Sequence, residues 1–184
     1  MVNENLIVAG FGGQGVLTIG KMVALSGMEN GKEVSWLPSY GSEMRGGTAN
    51  CNVIVSDEPV DCPVIRKPNA LIIMNLPSLL KFENWAVPGA RMLLNSALVH
   101  REPARRDIQV YKIPFNDLAT EAGNERGMNM LVVGAYAAIT GSITLQNLYD
   151  AIEHTFTGPK EKYVEGNRAM ARLGYDYAKE NFST

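Results

Sequence analysis

The chain has 184 residues, 46% of them hydrophobic and 20% charged, with a formal net charge of −2. That length suits a single domain, 1–184, able to bury roughly 70% of the surface its unfolded chain exposes. A charge so near zero excludes a global field for nucleic acid or an anionic membrane, so any anion site has to be local. The two cysteines, Cys51 and Cys62, are too few for a four-cysteine iron–sulfur cluster, and with two histidines they supply no zinc framework. A disulfide between them stays open by count, though at odds with an otherwise cytosolic composition. The sequence does not open with a basic segment followed by an apolar core. Its longest apolar stretch, Met130 to Ile139, falls far short of the roughly 20 residues a membrane span requires. The expectation is a cytoplasmic protein with no membrane segment, no nucleic-acid partner and no metal site of its own.

In chain order, the apolar run Leu6 to Ala9 feeds into Gly10-Phe11-Gly12-Gly13-Gln14-Gly15. Apolar residues then recur at helical spacing as Val16, Ile19, Met22 and Val23, with Thr18 and Lys21 off that stripe, up to a stop at Asn30-Gly31. This predicts a buried strand turning into a helix. Glycines permit a tight turn and close ligand approach to bare backbone, and the first N–H groups of a helix suit a phosphate. Two uses stay open, a phosphate-facing turn and a turn made only for close helix–strand packing. Ordinary NAD binding needs more than G-x-G-x-x-G, namely an acid for the ribose at the end of the second strand. That strand, Glu33 to Leu37, runs out through Pro38-Ser39 without one, and Glu33 opens it at the wrong end. The β-α-β reading predicts that the first two strands form a parallel pair.

The next stretch, Ser39-Tyr40-Gly41-Ser42-Glu43-Met44-Arg45-Gly46-Gly47-Thr48, leaves the same sheet edge as the glycine turn. Ligands of open α/β sheets bind at that edge. One cation, one carboxylate, one phenol and three glycines make it a binding or subunit-contact loop rather than a plain connector. Ala49 to Ser56 alternates as a half-buried strand, with Cys51 as a small core residue. Strands follow at Ala70–Met74, Arg91–Leu94 and Ile108–Ile113. Asn75-Leu76-Pro77-Ser78 starts a short helix, with Trp85 near its end as packing or interface. The one basic cluster, His100 to Asp107, reads as a solvated loop, with a phosphate contact as the alternative. Pro114 to Ala122 is helical. Asn124 caps a helix over Glu125–Thr140 that is apolar almost all round, hence buried in the core or against another subunit. Helices from Thr144 to about His154 and from Lys160 to Asn181 complete the chain. The sum is an α/β, Rossmann-like fold, a mostly parallel sheet flanked by helices.

No nucleophile–base pair, paired carboxylates or metal cluster is visible, so no catalytic residue is assigned. Glu43 and Arg45 alone stand in a loop that could touch a substrate. Such a chain reads as a binding module or one subunit of a larger machine.

Four stretches together resemble the gamma subunit of 2-oxoacid:ferredoxin oxidoreductases. They are Gly10 to Gly15, Ser39 to Cys51, Asn75 to Leu79, and Gly123-Asn124 followed by Asn129-Met130. The Tyr40–Gly47 loop is the specific part, and Glu43-Met44-Arg45-Gly46-Gly47 is most similar to the 2-oxoglutarate type, with the pyruvate, 2-oxoisovalerate and indolepyruvate types open. The resemblance implies a complex that cleaves a 2-oxoacid oxidatively with coenzyme A, giving an acyl-CoA, carbon dioxide and reduced ferredoxin. It implies alpha, beta and ferredoxin-like delta partners carrying thiamine diphosphate, magnesium and iron–sulfur clusters, with no cofactor on this chain. The substrate- or cofactor-binding positions it implies here are Gly10, Gly12, Gly13, Gln14, Gly15, Ser39, Tyr40, Gly41, Glu43, Arg45, Gly46 and Gly47. Two other classes remain. A free-standing dinucleotide oxidoreductase lacks its acid, and a purely structural scaffold would expose an apolar interface on the Met128–Ile139 helix. An isolated chain is expected to self-associate through the face its partners cover.

Overall fold

The computed structural model describes residues 1–39 and 48–182. Its strands are β1 (Asn3–Phe11), β2 (Glu33–Ser39), β3 (Thr48–Ser56), β4 (Ala70–Ile73), β5 (Arg91–Asn95) and β6 (Gln109–Ile113). They form one sheet in the order β2-β3-β1-β4-β5-β6. The pairs β1–β4, β4–β5 and β5–β6 are parallel, whereas β3 is antiparallel to both of its neighbours. β2 therefore points the same way as β1 but does not pair with it. The expected parallel pair is corrected to β1–β4, because β3 is inserted between the first two strands. Pro38 fits this arrangement: it cannot donate to a ladder, and β2 lies at the sheet edge where that costs least. β3 suits an interior place, with Cys51, Val53 and Val55 buried on one face and Ile54 on the other.

The helices are α1 (Val16–Glu29), α2 (Leu76–Phe82), α3 (Phe115–Glu121), α4 (Met128–Thr140), α5 (Leu145–Thr155) and α6 (Val164–Asn181). Two helices start later than their sequence periodicity indicates, after 3-10 turns over Glu125–Gly127 and Gly158–Tyr163. In the first, the Asn124 carboxamide accepts from Gly127 N at 3.1 Å and closes a three-residue turn before the α-helix begins. Thr144 and Asn147 cap α5 reciprocally.

The two faces of the sheet are covered unequally. Leu6, Val8, Cys51, Val53, Ile72 and Leu93 meet α1, α3, α4, α5 and α6. Ile7, Ala9, Leu71, Ile73, Met92 and Leu94 meet mainly α2, a 3-10 turn over Glu83–Trp85, and loops. Each fully buried aliphatic contributes about 1.5–3 kcal/mol, so the first face carries most of the stability. At its centre is α4, where every residue from Met130 to Ile139 is buried. α6 crosses it at backbone distance: a Cβ on Gly134 would lie 2.0 Å from the Ala171 oxygen, and one on Gly174 would lie 1.9 Å from the Leu131 oxygen. The apolar girth of α4 is thus covered within the chain, and the outward interface that the scaffold reading requires on it is not there. Both cysteines are free, Cys51 in the core and Cys62 exposed, so they form no disulfide. Burial pushes the Cys51 thiol up to about 12, as suits an inert core residue. No helix among the described residues is long and apolar enough to cross a membrane.

Candidate functional site

The turn from β1 into α1 uses its glycines in two ways. Gly10 is buried, and a Cβ there would meet Gln14 Oε1 at 2.7 Å, Val16 Cγ2 at 2.8 Å and Met74 Cβ at 2.9 Å. Gly15, with φ +72°, opens α1 against the side chain of Asn129. These two serve close packing. Gly12 and Gly13 are exposed, and a Cβ on Gly13 (φ +93°) would have no heavy atom of the described residues within 4 Å. α1 begins with no side-chain cap and no acid in its first turn, leaving its first N–H groups without such partners.

Gln14 locks this turn to the neighbouring strand. Its Oε1 accepts from Phe11 N at 2.6 Å and from Asn75 Nδ2 at 3.4 Å, while its Nε2 donates to the Met74 carbonyl at 3.1 Å. Asn75 in turn caps α2, accepting from Ser78 N at 2.9 Å. The Gln14 carboxamide is therefore committed inside the protein, and it acts as a positioning residue for the turn.

Beside the turn lies a cleft of about 290 Å³, lined by Thr18, Arg126, Asn129, Phe156, Lys162 and Tyr163 among others. Among the described residues no Asp or Glu lines it. Arg126 and Lys162 form no ion pair among the described residues, although Lys162 Nζ stands 5.2 Å from the Tyr163 ring centre. The Asn129 carboxamide makes no hydrogen bond among the described residues. Cations without acids next to an uncapped helix start suit an anion, and the aromatic walls suit a ring. Sequence reading missed this cleft. Asn129 belongs to one of the resembling stretches, but Lys162 and Tyr163 reach it only through the crossing of α6 over α4.

Ser39 ends β2 opposite Asn50, and Thr48 begins β3 opposite Phe11. The two anchors of the Tyr40–Gly47 stretch thus sit at the carboxyl edge of the sheet, beside the glycine turn. Tyr40, Gly41, Glu43, Arg45, Gly46 and Gly47 themselves lie outside the described residues. Glu33 is placed at the far end of β2, opposite Ser56, away from any ribose position of a dinucleotide.

One cation of the basic cluster, Arg105, is used internally. Arg105 binds Asp107 through two contacts of 2.6 Å and donates to the Ala86 carbonyl at 3.0 Å. Lys112 pairs with Glu102, and Glu83 accepts from Ala104 N at 2.9 Å. These contacts fit the loop reading, while Arg101 and Arg106 are exposed and form no ion pair among the described residues. A larger groove, about 600 Å³, lies at the opposite, amino edge of the sheet and is lined by Arg66, Lys67 and Trp85.

Residues 5–177 match the family model described as pyruvate ferredoxin/flavodoxin oxidoreductase. The ketoisovalerate oxidoreductase subunit VorA of Methanothermobacter marburgensis is 35% identical over 95% of this chain and 36% of its own length. The 2-oxoglutarate synthase subunit KorC of Methanocaldococcus jannaschii is 30% identical over 97% of this chain and 96% of its own. Among solved structures, a keto/oxoacid ferredoxin oxidoreductase gamma subunit from Geobacter sulfurreducens superposes with a TM-score of 0.82 at 26% identity, covering 96% of this chain and 99% of that one. The chain spans 36% of the VorA relatives it matches.

Proposed function

This chain belongs to the pyruvate ferredoxin/flavodoxin oxidoreductase family, and we propose that it works as the gamma subunit of a 2-oxoacid:ferredoxin oxidoreductase. The complex joins a 2-oxoacid to coenzyme A with loss of carbon dioxide. The acyl group ends as a thioester on coenzyme A, and the electron pair released passes to ferredoxin. Thiamine diphosphate, magnesium and iron–sulfur clusters belong to the alpha, beta and delta partners. Cys51 is shut in the core and Cys62 stands alone on the surface, a donor set that fits no cluster.

The observation that carries the reading is the carboxyl edge of the sheet. There the exposed Gly12-Gly13 backbone adjoins a cleft that holds Arg126 and Lys162 and, among the described residues, no acid. Such an edge favours the phosphates of coenzyme A through backbone N–H groups and cations, with Tyr163 and Phe156 as apolar wall. Gln14 holds the turn in place, and Arg45 and Glu43 orient substrate or partner. The chain binds and positions, and proton and electron transfer occur on its partners.

For the acid, the Glu43–Gly47 wording supports 2-oxoglutarate. The 35% identity to VorA makes 2-oxoisovalerate the second reading. In the assembled complex, Arg45→Ala and Arg126→Ala should each raise the apparent KM for coenzyme A about tenfold with kcat nearly kept, the loss expected for a charge-assisted phosphate contact. Unchanged KM and kcat in both variants would contradict this role.

A further inference from the structure

The outward surface of the five-helix face carries three ion pairs among the described residues. Glu29 pairs with His154, Glu153 with Arg168, and Arg172 with Asp176. The α2 face differs. Val64 is 52% exposed, Leu80 46% and Trp85 42%, and Leu76 stands one helical turn before Leu80. A groove of about 480 Å³ between α2 and the β2–β3 pair is lined by Leu37, Val64 and Trp85 among others, and Trp85 also walls the amino-edge groove. Arg66, Lys67 and Lys81 line these two grooves; among the described residues none has an ion pair, Lys81 Nζ stands 5.3 Å from the Phe82 ring centre, and no Asp or Glu lines either groove.

We propose that this α2 face is the docking surface for the larger catalytic chain of the complex, which presents an apolar segment with an acidic rim. The inference rests on the subunit reading above. Three observations select the occupant. An exposed tryptophan beside aliphatics has the composition of an interface centre. Three cations around it without an ion pair among the described residues call for carboxylates. In the VorA relatives this domain is 36% of a longer polypeptide, so a large neighbour is covalently tied to it. This sheet face is covered by one seven-residue helix, a 3-10 turn and loops, and the exposed apolar side chains stand on the outside of that thin layer.

The test compares amide hydrogen exchange of the isolated chain with that of the anaerobically purified native complex. Residues 60–67 and 76–87 should exchange at least tenfold more slowly in the complex. Trp85→Ala and Leu80→Glu should weaken association about tenfold or more. Lys81→Glu with Arg66→Glu should weaken it while flattening its salt dependence. The melting temperature of each isolated variant should stay near that of the parent, which separates docking from folding. A complex that forms with this face unprotected, or a face that binds a second copy of this chain instead, overturns this proposal alone. If no complex exists, the subunit reading and this proposal fall together.

Discussion

Asn129, on the first turn of α4, stands against Gly15, the residue that opens α1: a Cβ added to Gly15 would lie 2.1 Å from Asn129 Oδ1. Gly15 also sits at φ +72°, where an L side chain is strained. The starts of two helices are thus seated on each other beside the exposed glycines. Gly15→Ala should destabilise the protein by about 2–4 kcal/mol, roughly 1 from the backbone and the rest from displaced packing. In an Asn129→Ala background only the backbone part should remain. Urea titrations of the four proteins give the coupling, and additive effects would show that the contact is not tight.

Gln14→Leu removes the acceptor of Phe11 N and the donor to the Met74 carbonyl. It should cost about 1–3 kcal/mol and speed exchange of the Phe11 amide. Gln14→Glu keeps the acceptor but sets a carboxylate against the Met74 carbonyl, so it should destabilise as well. Equal stability of all three proteins would remove Gln14 as the lock of the turn.

The architecture was legible where pattern and punctuation agree. The run Leu6–Ala9 into glycine marked β1 and α1, and the uninterrupted apolar sequence Met130–Ile139 marked the buried helix. What escaped was pairing. A β-α-β pattern gives the direction of β2 but not its neighbour, and the strand that separates it from β1 is specified by long-range contacts of Cys51, Val53 and Ile54. The site was half legible. Glycines announce a turn, but which of them packs and which faces open space depends on Met74, Val16 and Asn129, far apart in sequence. Gln14 enters as a ligand contact only through the resemblance, and its amide bonds to Phe11 and Met74 appear only in the folded chain.

Gly134 and Gly174 predict large effects of one sign. Alanine at either would press its methyl on a backbone carbonyl of the partner helix, which cannot rotate aside. Each substitution should cost about 3 kcal/mol or more. Gly166, also in α6, has only Asn124 Nδ2 at 3.5 Å from the same probe position. Gly166→Ala should stabilise by roughly 0.5–1 kcal/mol through helix propensity. Chemical denaturation of the three variants checks the contrast.

Acid stability follows from two aspartates. The Lys32 ammonium, with Val2 N, holds the Asp57 carboxyl below its ordinary 3.8, and the Arg105 guanidinium does the same for Asp107. Carboxyls lowered in the folded state contribute stability that is present above the unfolded value of 3.8 and lost as pH falls through the folded one. The melting temperature should therefore drop as pH is taken below about 4. Asp57→Asn and Asp107→Asn should each make that acid limb shallower, and an unchanged limb in the double variant would contradict the assignment.

The most direct test of the central claim is anaerobic purification of the tagged chain from its source. Co-purifying chains are identified by mass spectrometry, and coenzyme-A-dependent viologen reduction is assayed with 2-oxoglutarate, 2-oxoisovalerate and pyruvate. The subunit reading predicts a thiamine-binding chain and a ferredoxin-like chain in the eluate, with activity on one acid that vanishes without coenzyme A. A chain that elutes alone, with no such activity in the fraction, would contradict it.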